Sequence, residues 1–180
     1  PPGPIAPYRV IAIIVIPKGS RNKYEFQKDS GVMKLNRVLY SSLYYPGDYG
    51  LIPGTYYDDN DPLDILVMIN EPTFSGCVIE VRPIGMYQLI DGKHKDDKIL
   101  GVPVHDPIFD QYHELKDVPA HYLKEVEHFF NVYKDLEGKR VEGLGWRGKD
   151  EAYDRILHAI KLYQDLIGKE KRKTKSSIAK

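Results

Sequence analysis

The spacing of apolar positions divides the chain into two regimes. Over the first two thirds, short β-branched or alternating runs lie between Gly- and Pro-containing breaks. Val10–Ile16 is an unbroken apolar run closed by Pro17-Lys18-Gly19-Ser20, which predicts a buried strand and a turn. Lys23 to Gln27 alternates charged and aromatic residues, as a half-buried strand does. Further strands are predicted over Val32–Tyr40, Leu63–Ile69, Val78–Ile90 and Leu100–Val104, with Gly85 marking a bulge. Many short strands with such turns favour a sandwich or small barrel.

From Pro119 to Leu136 the period changes. Leu123, Val126, Phe129, Phe130 and Tyr133 recur at helical spacing, with Asp117 as a candidate N-cap and Pro119 in the first turn. Tyr153, Ile156, Leu157, Ile160 and Ile167 predict a second amphipathic helix, with Gly168 as its stop. The class is α+β: a β-barrel or sandwich with two C-terminal helices packed on it. No repeat or linker divides residues 1–180, so a single domain is expected.

Composition narrows the function. At 42% hydrophobic and 29% charged the chain can bury a core and stay soluble. Residues 169–180 carry a local charge of +5, which leaves −5 for the rest of a chain that is neutral overall. A mildly acidic body argues against a broad nucleic-acid surface. The basic end reads as a frayed tail, and residues 1–7 as a second flexible end. One cysteine, Cys77, precludes an intrachain disulfide and suits a reducing, cytoplasmic setting. The longest apolar run is far short of the ~20 residues of a membrane helix, and Pro1-Pro2-Gly3-Pro4 has no signal-peptide pattern. No membrane partner is expected.

The chemistry concentrates in Asp58-Asp59-Asn60-Asp61-Pro62-Leu63-Asp64, which runs straight into Ile65-Leu66-Val67-Met68-Ile69. Pro62 forces a turn, and the apolar run sets Asp64 at the mouth of a buried strand. Carboxylates on a rigid element suit Mg²⁺ or Mn²⁺. Neither frame from Asp58 or Asp59 puts Gly sixth and Glu twelfth, so an EF-hand is excluded. A second polar tip holds Asp91, Asp96 and Lys98. Lys23 and Glu25 share a strand face at i, i+2, and Arg37 follows on the next strand, where a cross-strand ion pair is the plainer reading. Tyr45 and Tyr49 flank Pro46-Gly47-Asp48, and Tyr133-Lys134 ends the first helix. Six histidines show no ligand spacing, which argues against zinc. Clustered carboxylates with several cations suit phosphoryl transfer to water.

Asp59-Asn60-Asp61-Pro62-Leu63-Asp64 resembles the Asp-x-Asp-Pro-x-Asp signature of soluble family I inorganic pyrophosphatases. The resemblance extends through Ile16-Pro17, Lys23-Tyr24-Glu25, Arg37, Tyr45-Pro46, Tyr49-Gly50, Asp91, Asp96, Lys98 and His128-Phe129-Phe130 to Tyr133-Lys134-Asp135-Leu136, roughly residues 8–165. It implies a five-stranded OB-like barrel with flanking helices, Mg²⁺ dependence and pyrophosphate as substrate. By the same resemblance Asp59, Asp64 and Asp96 ligate the activating metals, with Mn²⁺ as a substitute for Mg²⁺. Asp91 helps bind metals that arrive with substrate, and Asp61 orients and deprotonates the attacking water. Lys23, Arg37, Lys98, Tyr133 and Lys134 hold the phosphates, Tyr49 hydrogen-bonds near the water, and Glu25 and Tyr45 line the cavity. It also implies a homo-oligomer, a hexamer above all. One position departs: the family's first strand usually ends Glu-Ile-Pro, and this chain reads Val15-Ile16-Pro17. The rival readings are an impaired homologue and an OB-like module for single-stranded nucleic acid.

Overall fold

A computed structural model of the chain describes the backbone of residues 1–178 and the side chains of residues 1–169. Five strands close on one another. β1 (Val10–Ile16) pairs with β4 (Asp48–Leu51), β4 with β5 (Asp64–Val67), β5 with β8 (Lys98–Pro103), β8 with β6 (Val78–Asp91), and β6 returns to β1. Only β5–β8 is parallel among these pairs. The closed ring is the expected five-stranded barrel. β2 (Asn22–Gln27) and β3 (Val32–Val38) form a separate antiparallel hairpin, while β7 (His94–Lys95) and β9 (Val141–Gly148) extend the far end of β6. Among the described residues, no helix is long and apolar enough to cross a membrane.

The unbroken apolar runs have a simple cause. Ile65 and Val67 enter one core cluster and Leu66 the other, so β5 is buried on both sides. Helix α1 (Ala120–Val132) covers the first cluster with Val126, Phe129 and Phe130. Helix α2 (Lys149–Ile178) covers the second with Ala152, Ile156 and Ala159. Gly50 sits where β1 crosses closest, because a Cβ there would meet the Ile13 carbonyl oxygen at 2.0 Å. The register of β6 against β8 slips between Pro83 and Gly85, the expected bulge.

Several boundaries differ from expectation. β4 and β9 were not legible, since Asp48-Tyr49-Gly50-Leu51 is too short and β9 carries Gly143, Gly145 and Gly148. β3 stops at Val38 rather than Tyr40. α1 ends at Val132, with Tyr133 as its C-cap and a short 3-10 turn over Asp135–Glu137 where helix was expected to continue. Asp117 does not cap α1, whose N-cap is Pro119; its carboxylate instead accepts the N–H groups of His113 and Glu114. Gly168 is not a stop, because its φ is not left-handed and α2 carries on through the basic segment to Ile178. Residues 179 and 180 of that segment lie outside the described residues.

Candidate active site

The acidic turn is built by its own backbone. Asn60 has φ 68°, a left-handed conformation that Asn tolerates better than most residues. Tyr57 N–H donates to the Asp61 carbonyl at 2.9 Å, Asn60 N–H returns to the Tyr57 carbonyl at 3.0 Å, and Asp61 N–H reaches Asp59 Oδ1 at 3.2 Å. Beyond Pro62 the chain enters β5, so Asp64 starts a strand whose next three residues are buried. Asp96 arrives from the other side, on the short segment between β7 and β8. Asp59, Asp64 and Asp96 each present a carboxylate oxygen, all within 4.8 Å of one another.

Lys98 holds this group together. Its ammonium donates to Asp64 Oδ2 and Asp96 Oδ1, each at 2.6 Å, and to the Tyr49 hydroxyl at 2.9 Å. It also lies 5.4 Å from the Tyr49 ring centroid and 5.6 Å from that of Phe130. Tyr49 donates its own proton to Asp64 Oδ2 at 2.6 Å. Burial, and then Asp64, pushes the Tyr49 phenol well above its ordinary pKa, so the group stays a donor. Burial raises Asp64 against the opposing pull of Lys98. Burial also pushes Asp96 up, but Lys98, Asp64 and Lys134 together outweigh it and hold its carboxyl below the usual range. Asp59, half-buried beside these two acids, is raised to about 6, chiefly by desolvation.

The trio opens onto a cavity of about 440 Å³ whose wall also carries Val15, Lys23, Glu25, Tyr45, Asp61, Asp91, Tyr133 and Lys134. Lys23 pairs with Glu25 at 3.6 Å on β2, as their shared strand face requires. Burial and the neighbouring Arg37 and Lys134 lower the Lys23 pKa. Lys134 is paired with Asp91, which therefore lies outside the trio of carboxylates. Tyr45 is fully buried against Phe129, with ring centroids 4.8 Å apart, and burial raises its phenol above the ordinary range. Twelve of the thirteen expected site residues thus share one cavity wall. The thirteenth, Arg37, does not: it stands opposite Lys23 in the hairpin register, but its Nε lies 2.8 Å from Glu137 Oε1, on the turn after α1. Neither Lys23 nor Arg37 makes the cross-strand ion pair.

Lys28 was missed. It lines the cavity beyond the end of β2 and comes within 3.9 Å of Asp61. Strand alternation gave no signal for it, because it lies past the run that alternates.

The inorganic pyrophosphatase family model matches residues 12–164. The chain belongs to the inorganic pyrophosphatase family. It is 49% identical over 164 residues to an inorganic pyrophosphatase of Haloferax volcanii, covering 91% of this chain and 93% of that one. It is 50% identical over 156 residues to one from Geobacillus stearothermophilus, covering 87% and 94%. The crystal structure of inorganic pyrophosphatase from Thermus thermophilus superposes with a TM-score of 0.88 at 42% identity, over 91% of this chain and 96% of that one. Inorganic pyrophosphatases thus share both its sequence and its barrel, and the resemblance to that family is borne out.

Proposed function

We propose that the chain hydrolyses pyrophosphate to two phosphates with Mg²⁺, Mn²⁺ serving as a substitute. The observation that carries this reading is the trio of Asp59, Asp64 and Asp96, with oxygens within 4.8 Å, facing a wall that holds Lys23, Lys98 and Lys134. The donor set fits a hard divalent cation: all three ligands are carboxylate oxygens, and a lysine ammonium already balances two of them. When bound, such cations supply positive charge to phosphoryl oxygens and lower the pKa of a water.

The chain's own residues supply the rest. Lys23, Lys134 and Lys98 hold the phosphates, assisted by the Tyr133 hydroxyl, and their charge stabilises the departing phosphate. Arg37 joins them from the rim, in exchange for its contact with Glu137. Asp61 lies on the cavity wall outside the trio, with its side chain 69% exposed, and takes the proton of the attacking water. That oxygen forms a bond to one phosphorus as the bond from the same phosphorus to the bridging oxygen breaks, and the other phosphate leaves with the bridging oxygen. Tyr49 keeps its proton and orients Asp64. Asp91 is the carboxylate of this wall closest in role to an outer cation ligand, and Glu25 keeps Lys23 in place.

The chain is proposed to work in the cytoplasm as a homo-oligomer, a hexamer above all. Large exposed apolar side chains on the hairpin, Phe26, Val32, Leu35 and Val38, support self-association. Light scattering on the purified protein reads the oligomer directly. The activity is tested by phosphate release from pyrophosphate with Mg²⁺, with Mn²⁺ and with EDTA. Cation-dependent release that EDTA abolishes is expected; no release above a buffer blank between about pH 6 and 9 overturns the reading.

A further inference from the structure

Asp59 and Asp96 belong to segments that no strand pairing holds together at the carboxylates themselves. The first lies in a turn bent by left-handed Asn60, the second between the two-residue strand β7 and the start of β8. Two hydrogen bonds bridge the segments from behind. Tyr57, two residues before Asp59, donates its hydroxyl to Asp97 Oδ2 at 2.9 Å. Asp58 Oδ2 accepts the Lys95 N–H, also at 2.9 Å. The first bridge is buried: Asp97 is 2% exposed and Tyr57 4%. A carboxylate in that place needs a compensating charge, and α2 supplies it. Arg155 Nε lies 3.0 Å from Asp97 Oδ2, and its guanidinium carbon lies 4.9 Å from the Tyr57 ring centroid. The Nε–H is not aligned on the carboxylate, so the contact is an ion pair with ring stacking rather than a linear hydrogen bond.

We infer that Tyr57, Asp97 and Arg155 form a clamp that sets the spacing of the Asp59 and Asp96 segments, which makes them positioning residues for the divalent-cation site; this rests on the functional reading above. Docking of α2 does not explain the group. Ala152, Ile156 and Ala159 are fully buried in the core cluster with Val10, Ala12 and Ile14, and Tyr56 N–H already donates to the Ala159 carbonyl at 3.0 Å. At that interface apolar side chains would stabilise the helix as well as a buried ion pair, whose desolvation cost offsets most of its attraction. What an apolar trio could not do is tie one acidic segment to the other through a directed contact. Tyr57 and Asp97 make that contact one or two residues from the carboxylates it spaces.

The test is Mn²⁺ binding to the substrate-free protein, followed by electron paramagnetic resonance of free Mn²⁺, alongside thermal melting in EDTA. Tyr57→Phe removes only the bridging hydroxyl, and it is expected to raise the Mn²⁺ dissociation constant about tenfold with little change in melting temperature. Arg155→Met leaves Asp97 buried and unpaired and is expected to lower both stability and Mn²⁺ affinity. The double variant Asp97→Leu/Arg155→Met is expected to regain the melting temperature and to keep the weakened Mn²⁺ binding. It and Tyr57→Phe carry the test if Arg155→Met does not fold. Affinity within about twofold of the unaltered protein in both of these variants overturns the clamp while the functional reading stands. An unaltered protein that neither binds Mn²⁺ nor releases phosphate overturns both.

Discussion

Asp64 and Lys98 are register partners at the head of the parallel pair β5–β8, and the Lys98 ammonium lies 2.6 Å from Asp64 Oδ2. The same nitrogen lies 2.6 Å from Asp96 Oδ1, and the lysine side chain is 3% exposed. Strand register therefore delivers a cation into the middle of the carboxylates. Their mutual repulsion without a metal is balanced by a covalently attached charge, and a bound cation competes with that charge for the same oxygens.

Lys98→Met should expose this balance. It leaves Asp64 and Asp96 partly buried and without their cation, a loss of roughly 3–5 kcal/mol by analogy with broken buried pairs, less whatever solvent recovers at these two acids. Mg²⁺ should restore part of it, because the carboxylates then have a cation again. Thermal melts in EDTA and in Mg²⁺ measure both effects. An EDTA melting temperature equal to that of the unaltered protein would show that Lys98 does not balance the trio.

Asp61→Asn should lose rate and keep cation binding. The amide preserves shape but accepts no proton, and losing a general base costs about 10²–10⁴-fold in turnover. Asp61 stands outside the trio, so Mn²⁺ binding should be little changed. Steady-state kinetics and Mn²⁺ titration together decide the point. Near-normal turnover places the base elsewhere.

The site should also bind cations less well in mild acid. Burial raises the Asp59 carboxyl to about 6, and a metal ligand must be ionised. Protons therefore compete with Mg²⁺ as pH falls through about 6, and the Mg²⁺ concentration for half-maximal activity should rise. The effect on folding without metal has the opposite sign. A carboxyl raised above its unfolded value of 3.8 stabilises the fold while protonated, and that contribution is lost as pH rises through about 6. As pH falls from 7.5 to 5, the range around that folded value, the melting temperature in EDTA and the Mg²⁺ concentration for half-maximal activity should therefore both rise. A flat Mg²⁺ requirement over that range would remove Asp59 as a titrating ligand.

How much was legible depended on how local the signal was. Val10–Ile16 and the helix around Val126, Phe129 and Phe130 announced themselves because their burial repeats within a few residues. Asp59, Asp61 and Asp64 stood out because they crowd one turn. β9 did not, since its pairing with β6 spends little side-chain pattern and its glycines read as loop. Arg37 was assigned to the site by resemblance, and the carboxylate that holds it, Glu137, lies a hundred positions further along the chain with no spacing rule to join them. Asp97 follows Asp96 directly in the sequence, and nothing local distinguishes the two carboxylates. Only the fold separates them, by setting one in the cavity and the other behind it under Arg155.

Val15→Glu should strengthen binding of a further cation. The register between β1 and β4 slips between Ile14 and Ile16, so Val15 is the bulged residue. The bulge turns its side chain to the cavity wall while both neighbours stay buried. Its carbonyl is held by the Ser75 hydroxyl at 2.7 Å, a backbone contact that a change of side chain leaves in place. A glutamate there adds an anionic oxygen donor to a wall that already has Asp91, and the Mg²⁺ concentration for half-maximal activity at saturating pyrophosphate should fall. The new charge also raises the pKa of neighbouring carboxyls, so the acid limb of that Mg²⁺ requirement should move to higher pH. Because the bulge opens onto the cavity, the melting temperature should change little. A large drop in melting temperature with no gain in Mg²⁺ affinity would mean that the Val15 side chain belongs to the apolar wall, where a carboxylate is costly to bury.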